Sequence, residues 1–216
     1  MAEPEWVFDW QTTEQDLTEW ESLCGPRKYR LYVIACYREI LPLLIDERSR
    51  QAIAVAEQYA DGLVSRAELQ TAFDIAELAS LEAESNADFS TRERAAMTAL
   101  LWVAAENAEL MESNLSPTGF AVELMPPEKH DVGWRLWLDV YGPRKPVQFA
   151  PEWQTDTALS LARQMYESRD FSAMPILADA LQDAGCDNDD ILNHCRDEKQ
   201  VHVRGCWVVD LVLGKS

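Results

Sequence analysis

Along most of this chain apolar residues return every three to four positions, the spacing of one face of an α-helix. Leu31, Ile34, Ala35, Ile40, Leu41 and Leu44 form such a stripe, with Tyr29 and Tyr37 beside it and Cys36 within it. Pro42 predicts a kink or a fresh short helix at its end. Upstream, Thr12 or Thr13 is placed to cap a short helix that stops before Gly25-Pro26. Asp46 is the expected cap of a helix carrying Ala52, Val55, Ala56 and Tyr59, ended by Asp61-Gly62. Ser65 with Glu68, and Ser90 with Glu93, have the spacing of a capping box. Behind them follow the stripes Leu69, Ala72, Phe73, Ala76, Leu78 to Ala79 and Ala96, Leu100, Val103, Ala104, Met111.

The middle of the chain reads differently. Pro117, Gly119, Pro126 and Pro127 predict a loop over 114–131, and Trp134, Leu138 and Tyr141 a short helix ending at Gly142-Pro143. An extended connector is expected over 143–151. Helical spacing resumes with Leu159, Ala162 and Met165, then from Ser172 to Gly185 with Pro175 in the first turn, then behind Asp187 or Asn188 with Ile191 and Leu192. The apolar segment Gly205 to Leu213 suits a helix or a strand by length. Without partner strands elsewhere, helix is the expectation.

The predicted fold is therefore all-α, an irregular bundle of about eight to ten helices with a loop-rich middle. Such a body can bury Trp102, Trp134 and Trp207. Residues 1–12 read as a flexible arm and 13–216 as a single helical domain, in which 114–151 is the place where a division would fall. At 216 residues and 47% hydrophobic composition the chain can bury a core without disulfides or metal, and it does not have the profile of an acidic disordered segment.

Charge changes the list of partners rather than the fold. Thirty-eight acidic against 19 basic side chains leave a net charge of −19, which repels nucleic-acid phosphate and anionic membrane surfaces. Direct nucleic-acid binding and membrane association are not expected; the acidity serves solubility in the first place, with docking on a basic protein partner or imitation of DNA as the alternatives, and the protein partner that is expected is not identified by the sequence. The N-terminal residues lack a positive start followed by an apolar run, and no apolar stretch has the length of a membrane span, so the expected location is the cytoplasm. Trp6, Phe8, Trp10 and Trp20 are candidate anchors for a partner. Arg27, Lys28 and Arg30 form a local basic bias that serves either a docking face or internal ion pairs.

Candidate chemistry gathers near the C-terminus in Cys186, His194, Cys195, His202 and Cys206. Structural zinc takes four thiolate or imidazole ligands in a tetrahedron, and each of these residues qualifies. His202 and Cys206, four apart, would share a helical face, with Cys186 and either His194 or Cys195 completing the set. The spacing contains no Cys-x-x-Cys pair, and small buried thiols are ordinary core residues, so packed cysteines compete with the zinc reading. A third reading, a thiol nucleophile made of Cys195 and His202, requires an exposed thiol within reach of an oriented base. Neither a nucleophile elbow nor a Gly-rich phosphate loop is present. Asp179, Asp183, Asp187, Asp189 and Asp190 lack the pattern of a calcium loop and read as surface and capping residues.

The tail also carries a resemblance. The runs Pro175 to Asn188 (PILADALQDAGCDN), Asn193 to Cys195 (NHC) and His202 to Lys215 (HVRGCWVVDLVLGK) resemble an uncharacterised bacterial, planctomycete-type helical domain. Trp153 to Phe171, Arg30 to Cys36, Asp46 to Arg50 and Ala56 to Gly62 are similar to the same group. This resemblance implies one integrated helical module and brings no activity, substrate or cofactor. Similar chains often carry several cysteines where this one has Cys36-Tyr37-Arg38, which counts against a cluster joining N- and C-terminal cysteines. Taken together, the expected role is a non-enzymatic protein-interaction or scaffold module, with a zinc-stabilised adaptor and a thiol-dependent enzyme as the alternatives.

Overall fold

Capping chemistry and backbone breaks set ten α-helices among the residues described by the structure, a computed structural model covering 14–104, 117–129, 131–143 and 147–215. No strand occurs among those residues, and none of their helices is long and apolar enough to cross a membrane. The first, α1 (Glu14–Glu39), is bent at Gly25, whose φ of 75° and ψ of 165° leave the helix just ahead of Pro26. Pro42 lies in a single 3-10 turn, Leu41–Leu43. α2 (Glu47–Ala60) starts where the Asp46 carboxylate accepts the Arg48 amide, and α3 (Arg66–Glu84) starts at a complete Ser65/Glu68 capping box. α4 (Thr91–Ala104) repeats the device: Ser90 N–H donates to Glu93 and the Glu93 amide to Ser90 Oγ.

The predicted loop over 114–131 contains a helix, α5 (Pro117–Leu124), and a 3-10 turn, Pro127–Lys129. Proline at the first helical position lacks only an N–H that would have no intrahelical acceptor, so Pro117 opens the helix rather than forbidding it. Ala121 and Met125, four apart, bury the same side. α6 (Val132–Tyr141) follows and buries Val132, Leu136, Asp139 and Val140. Trp134, expected in the core, is instead 37% exposed and stacked on Trp137 with ring centroids 5.0 Å apart. It lies off the stripe that the neighbours of α6 select.

The remaining helices are α7 (Asp156–Ser168), α8 (Met174–Asp183), α9 (Asp189–Arg196) and α10 (Trp207–Leu213), so the last apolar segment is helical. Thr155 caps α7 and Asn188 caps α9. Trp207 is buried; the arm over 1–12 and the side chain of Trp102 lie outside the described residues.

Two apolar clusters organise these helices. One takes its residues from α1 to α6, including Ile34, Tyr37, Ile53, Leu69, Met97 and Leu136. The other comes from α7 to α10, including Met165, Leu177, Ile191, Val208 and Val209. Between them runs a seam of buried ion pairs. Asp61, at the end of α2, accepts from Arg27, Arg204, Lys215 and the Tyr166 hydroxyl. Asp210 on α10 takes Arg27 and Lys28, and Glu57 on α2 takes Arg38, Arg169 and Arg204. Arg204 thus bridges both acids at the end of α2. Buried pairs of this kind add little net stability over an apolar replacement, but losing one partner strands a charge, so they hold the two clusters in one register.

Candidate metal centre

Four side chains from three parts of the chain meet beside this seam. Asp139 comes from the buried face of α6, His194 from the last turn of α9, and His202 and Cys206 from the segment leading into α10. Each offers one ligand atom, and the four atoms lie within 4.8 Å of one another. His202 Nδ1 is 2.8 Å from Asp139 Oδ1, and His194 Nε2 is 3.1 Å from the same oxygen. Cys206 Sγ is 3.3 Å from His194 Nε2 and 3.9 Å from His202 Nδ1. Zinc bonds of the usual length give tetrahedral edges of about 3.3 Å between nitrogen or oxygen ligands and about 3.6 Å between nitrogen and sulfur. The nitrogen–sulfur separations bracket the second value, while the nitrogen–oxygen separations, 2.8 and 3.1 Å, are hydrogen-bond distances that must open by a few tenths of an ångström, to about 3.3 Å, to admit the ion.

Local backbone chemistry explains the convergence. The Cys206 amide donates to the Val203 carbonyl at 2.9 Å, closing a tight turn over 203–206. The third residue of that turn is Gly205 at φ +98°, a conformation that favours glycine. A side chain there would also press on Leu31, 3.0 Å from an added Cβ. His202 and Cys206 are thus brought together by a turn and not by a shared helical face, as their spacing of four had suggested. The segment distributes its side chains three ways: Val201 and Val203 pack on the α1–α6 cluster, His202 and Cys206 face the centre, and Arg204 goes to Glu57 and Asp61.

The surroundings fix the ligands. The second oxygen of Asp139 accepts the Val203 amide at 2.8 Å, which turns Oδ1 toward the centre. Trp207 packs on His194 and Phe171 on His202, an apolar wall around the site. Asp139 and Cys206 are fully buried, and the His194 and His202 side chains are 12% and 8% exposed. Burial pushes the Asp139 carboxyl up, but hydrogen bonds and attraction from His194 and His202 outweigh it and hold the group below the usual carboxylate range. Without a cation, burial and the nearby Asp139 charge push the Cys206 thiol far above its ordinary value.

Of the five residues expected to compete for metal, His194, His202 and Cys206 are brought together. Cys186 and Cys195 stand outside the cluster, buried in the α7–α10 core. Cys195 faces inward on α9 between Ile191 and the end of the helix; burial raises its thiol to about 12, and burial raises Cys186 as well. The thiol-enzyme reading needed an exposed, activated cysteine, and Cys195 and Cys206 are neither. Asp139 is the member of the cluster that spacing did not reveal. Its signal was weak but present: a lone acid in the Val132–Tyr141 helix, three residues beyond Leu136 on the buried stripe.

The candidate interaction residues fall elsewhere. Arg27 and Lys28 pair with Asp61 and Asp210 in the seam, and Arg30 lies over the Tyr59 ring at 5.1 Å. Trp6, Phe8, Trp10 and the side chain of Trp20 lie outside the described residues.

No protein-family model, curated protein or solved structure matches the chain. The fold and this four-residue centre therefore carry the functional reading. One carboxylate, two imidazoles and one thiol are a donor set capable of coordinating a metal ion such as zinc.

Proposed function

We propose that this chain is a helical adaptor module whose two apolar clusters are clamped by one structural zinc ion on Asp139, His194, His202 and Cys206. A single observation carries the reading: Asp139 and Cys206 both meet the same nitrogen of each imidazole, Nε2 of His194 and Nδ1 of His202. An acid–base relay places the carboxylate on one ring nitrogen and the nucleophile on the other. One imidazole nitrogen, carrying at most one proton, meets a carboxylate and a thiol together only through a shared, three-centre hydrogen bond, whereas a cation at the common focus engages all four groups directly. Four protein ligands in a buried pocket fill the tetrahedron, the arrangement of structural rather than catalytic zinc. Asp139 belongs to the α1–α6 side and the other three ligands to the α9–α10 side, so the ion ties the clusters as a disulfide would tie two loops.

Native mass spectrometry of the full chain purified without added metal or chelator, with metal analysis on the same sample, tests this. The expected result is one zinc per chain, lost on denaturation, lost in Asp139→Asn and kept in Cys186→Ser. A metal-free wild type that takes up no zinc on titration, or a Cys186→Ser variant that loses its zinc while Asp139→Asn keeps it, overturns the assignment.

A further inference from the structure

Helix α3 has two apolar faces. Leu69, Ala76, Ala79 and Ala83 are buried as it packs on α2 and α4. Ile75, Leu78 and Leu81 are turned away from that face and are 42%, 56% and 55% exposed. Single exposed leucines are ordinary. Three at successive intervals of three extend about 9 Å along the helix and, turning about 60° at each step, spread over a broad outer face of the kind on which an amphipathic helix docks. The margins of that face are acidic, with Asp74, Glu77 and Glu84 exposed beside it.

Charge selects the occupant. A second copy would lay the same acids against themselves. The aromatic segment Trp6 to Trp10 of this chain contains Asp9, follows Glu3 and Glu5, and is acidic as well. The seam sharpens the contrast. It engages six of the chain's 19 basic side chains, Arg27, Lys28, Arg38, Arg169, Arg204 and Lys215, with only three of its 38 acids, which leaves the remaining side chains more acidic than the net charge of −19 conveys. The geometry points to the outer face of α3 as a docking surface for a basic amphipathic helix of a partner protein. Its apolar side rests on Ile75, Leu78 and Leu81, and its lysines or arginines meet Asp74, Glu77 and Glu84. No ligand of the metal centre lies on α3, so this surface stands or falls apart from the zinc assignment.

The test is titration of the full chain with an amidated leucine–lysine peptide of about 18 residues, five helical turns, whose leucines follow helical spacing. A peptide of identical composition with the leucines scattered serves as its counterpart. The expected result is at least about tenfold tighter binding of the helical peptide, weakened by salt, and a loss of about tenfold in the Leu78→Ser/Leu81→Ser variant. Amide chemical-shift changes centred on α3 accompany it. Glu77→Lys/Glu84→Lys supplies a second variant, expected to weaken binding and flatten its salt dependence. Equal binding of the two peptides overturns the proposal, because charge alone then suffices. So does unchanged affinity in the leucine variant, or a dimer of the wild type that the leucine variant dissolves, which would make the face a contact between copies.

Discussion

Asp61 shows what one side chain does in this molecule. Its carboxylate is 1% exposed and faces Arg27, Arg204, Lys215 and the Tyr166 hydroxyl. Burial alone raises its pKa, but the hydroxyl and the three cations reverse that and hold it below the usual carboxylate range. A carboxylate with a lowered folded-state pKa contributes stability that is complete above its unfolded value of about 3.9 and is lost as pH falls through the folded value. Urea unfolding at a series of pH values should therefore show the Asp61 contribution intact down to about pH 4 and fading below it. Asp61→Asn should cost about 3–5 kcal/mol at neutral pH, because it strands the cations, and should narrow the gap to wild type on acidification. A gap that stays constant below pH 4 would mean that the pairing is not what Asp61 supplies.

Among the elements, the end of α6 matters most to the centre. Gly142 terminates the helix at φ +73°, and a Cβ there would stand 2.7 Å from the Trp207 ring, which in turn packs on His194. Gly62 also has a positive φ, +69°, yet nothing lies within 4 Å of its missing side chain. Gly142→Ala should cost about 1–3 kcal/mol and weaken zinc binding, since the ring must move and His194 moves with it. Gly62→Ala should carry only the backbone penalty, about 1 kcal/mol, with zinc affinity unchanged. Thermal melts paired with a competitive zinc chelator separate the two cases; equal effects on zinc affinity would remove Trp207 from the support of the site.

At the scale of the whole molecule, the centre and the ionic seam act at the same junction. Asp139 reaches His202 across 63 positions of sequence, and Arg27 reaches Asp210 across 183. A ligand that binds only the folded state adds stability with its saturation, about 4 kcal/mol at a thousandfold excess over its Kd. For a chain of this size, stripping zinc should then lower Tm by about 10 °C. Hydrogen exchange should locate the loss. The amides of Val203 and Cys206, and the first turn of α10, are expected to exchange faster after chelation, while α3 and α4 keep their protection. Uniform acceleration across every helix would indicate that the ion supports the whole fold rather than the junction.

Most of the helices were legible in the sequence, because periodicity, caps and breaks act within four residues; α5 was not, since Pro117 and Gly119 read locally as a loop. The Asp46 cap, both capping boxes and the bend at Gly25-Pro26 all follow from such local interactions, whereas the tail, ambiguous by its own length, was read as helix from the lack of partner strands. The sequence also carried three of the four residues of the candidate centre, since histidine and cysteine are rare here and cluster in one region. Tertiary structure alone decided the rest. Asp139 is one acid among 38, and only the packing of α6 against the α9–α10 segment brings it to the candidate centre, while Cys186 and Cys195, equal candidates by residue type, are drawn into the core. Likewise Trp134 and the outer stripe of α3 look as apolar as their buried neighbours. Which of a helix's faces meets another helix is settled by contacts made far apart in sequence, and local spacing holds no record of them.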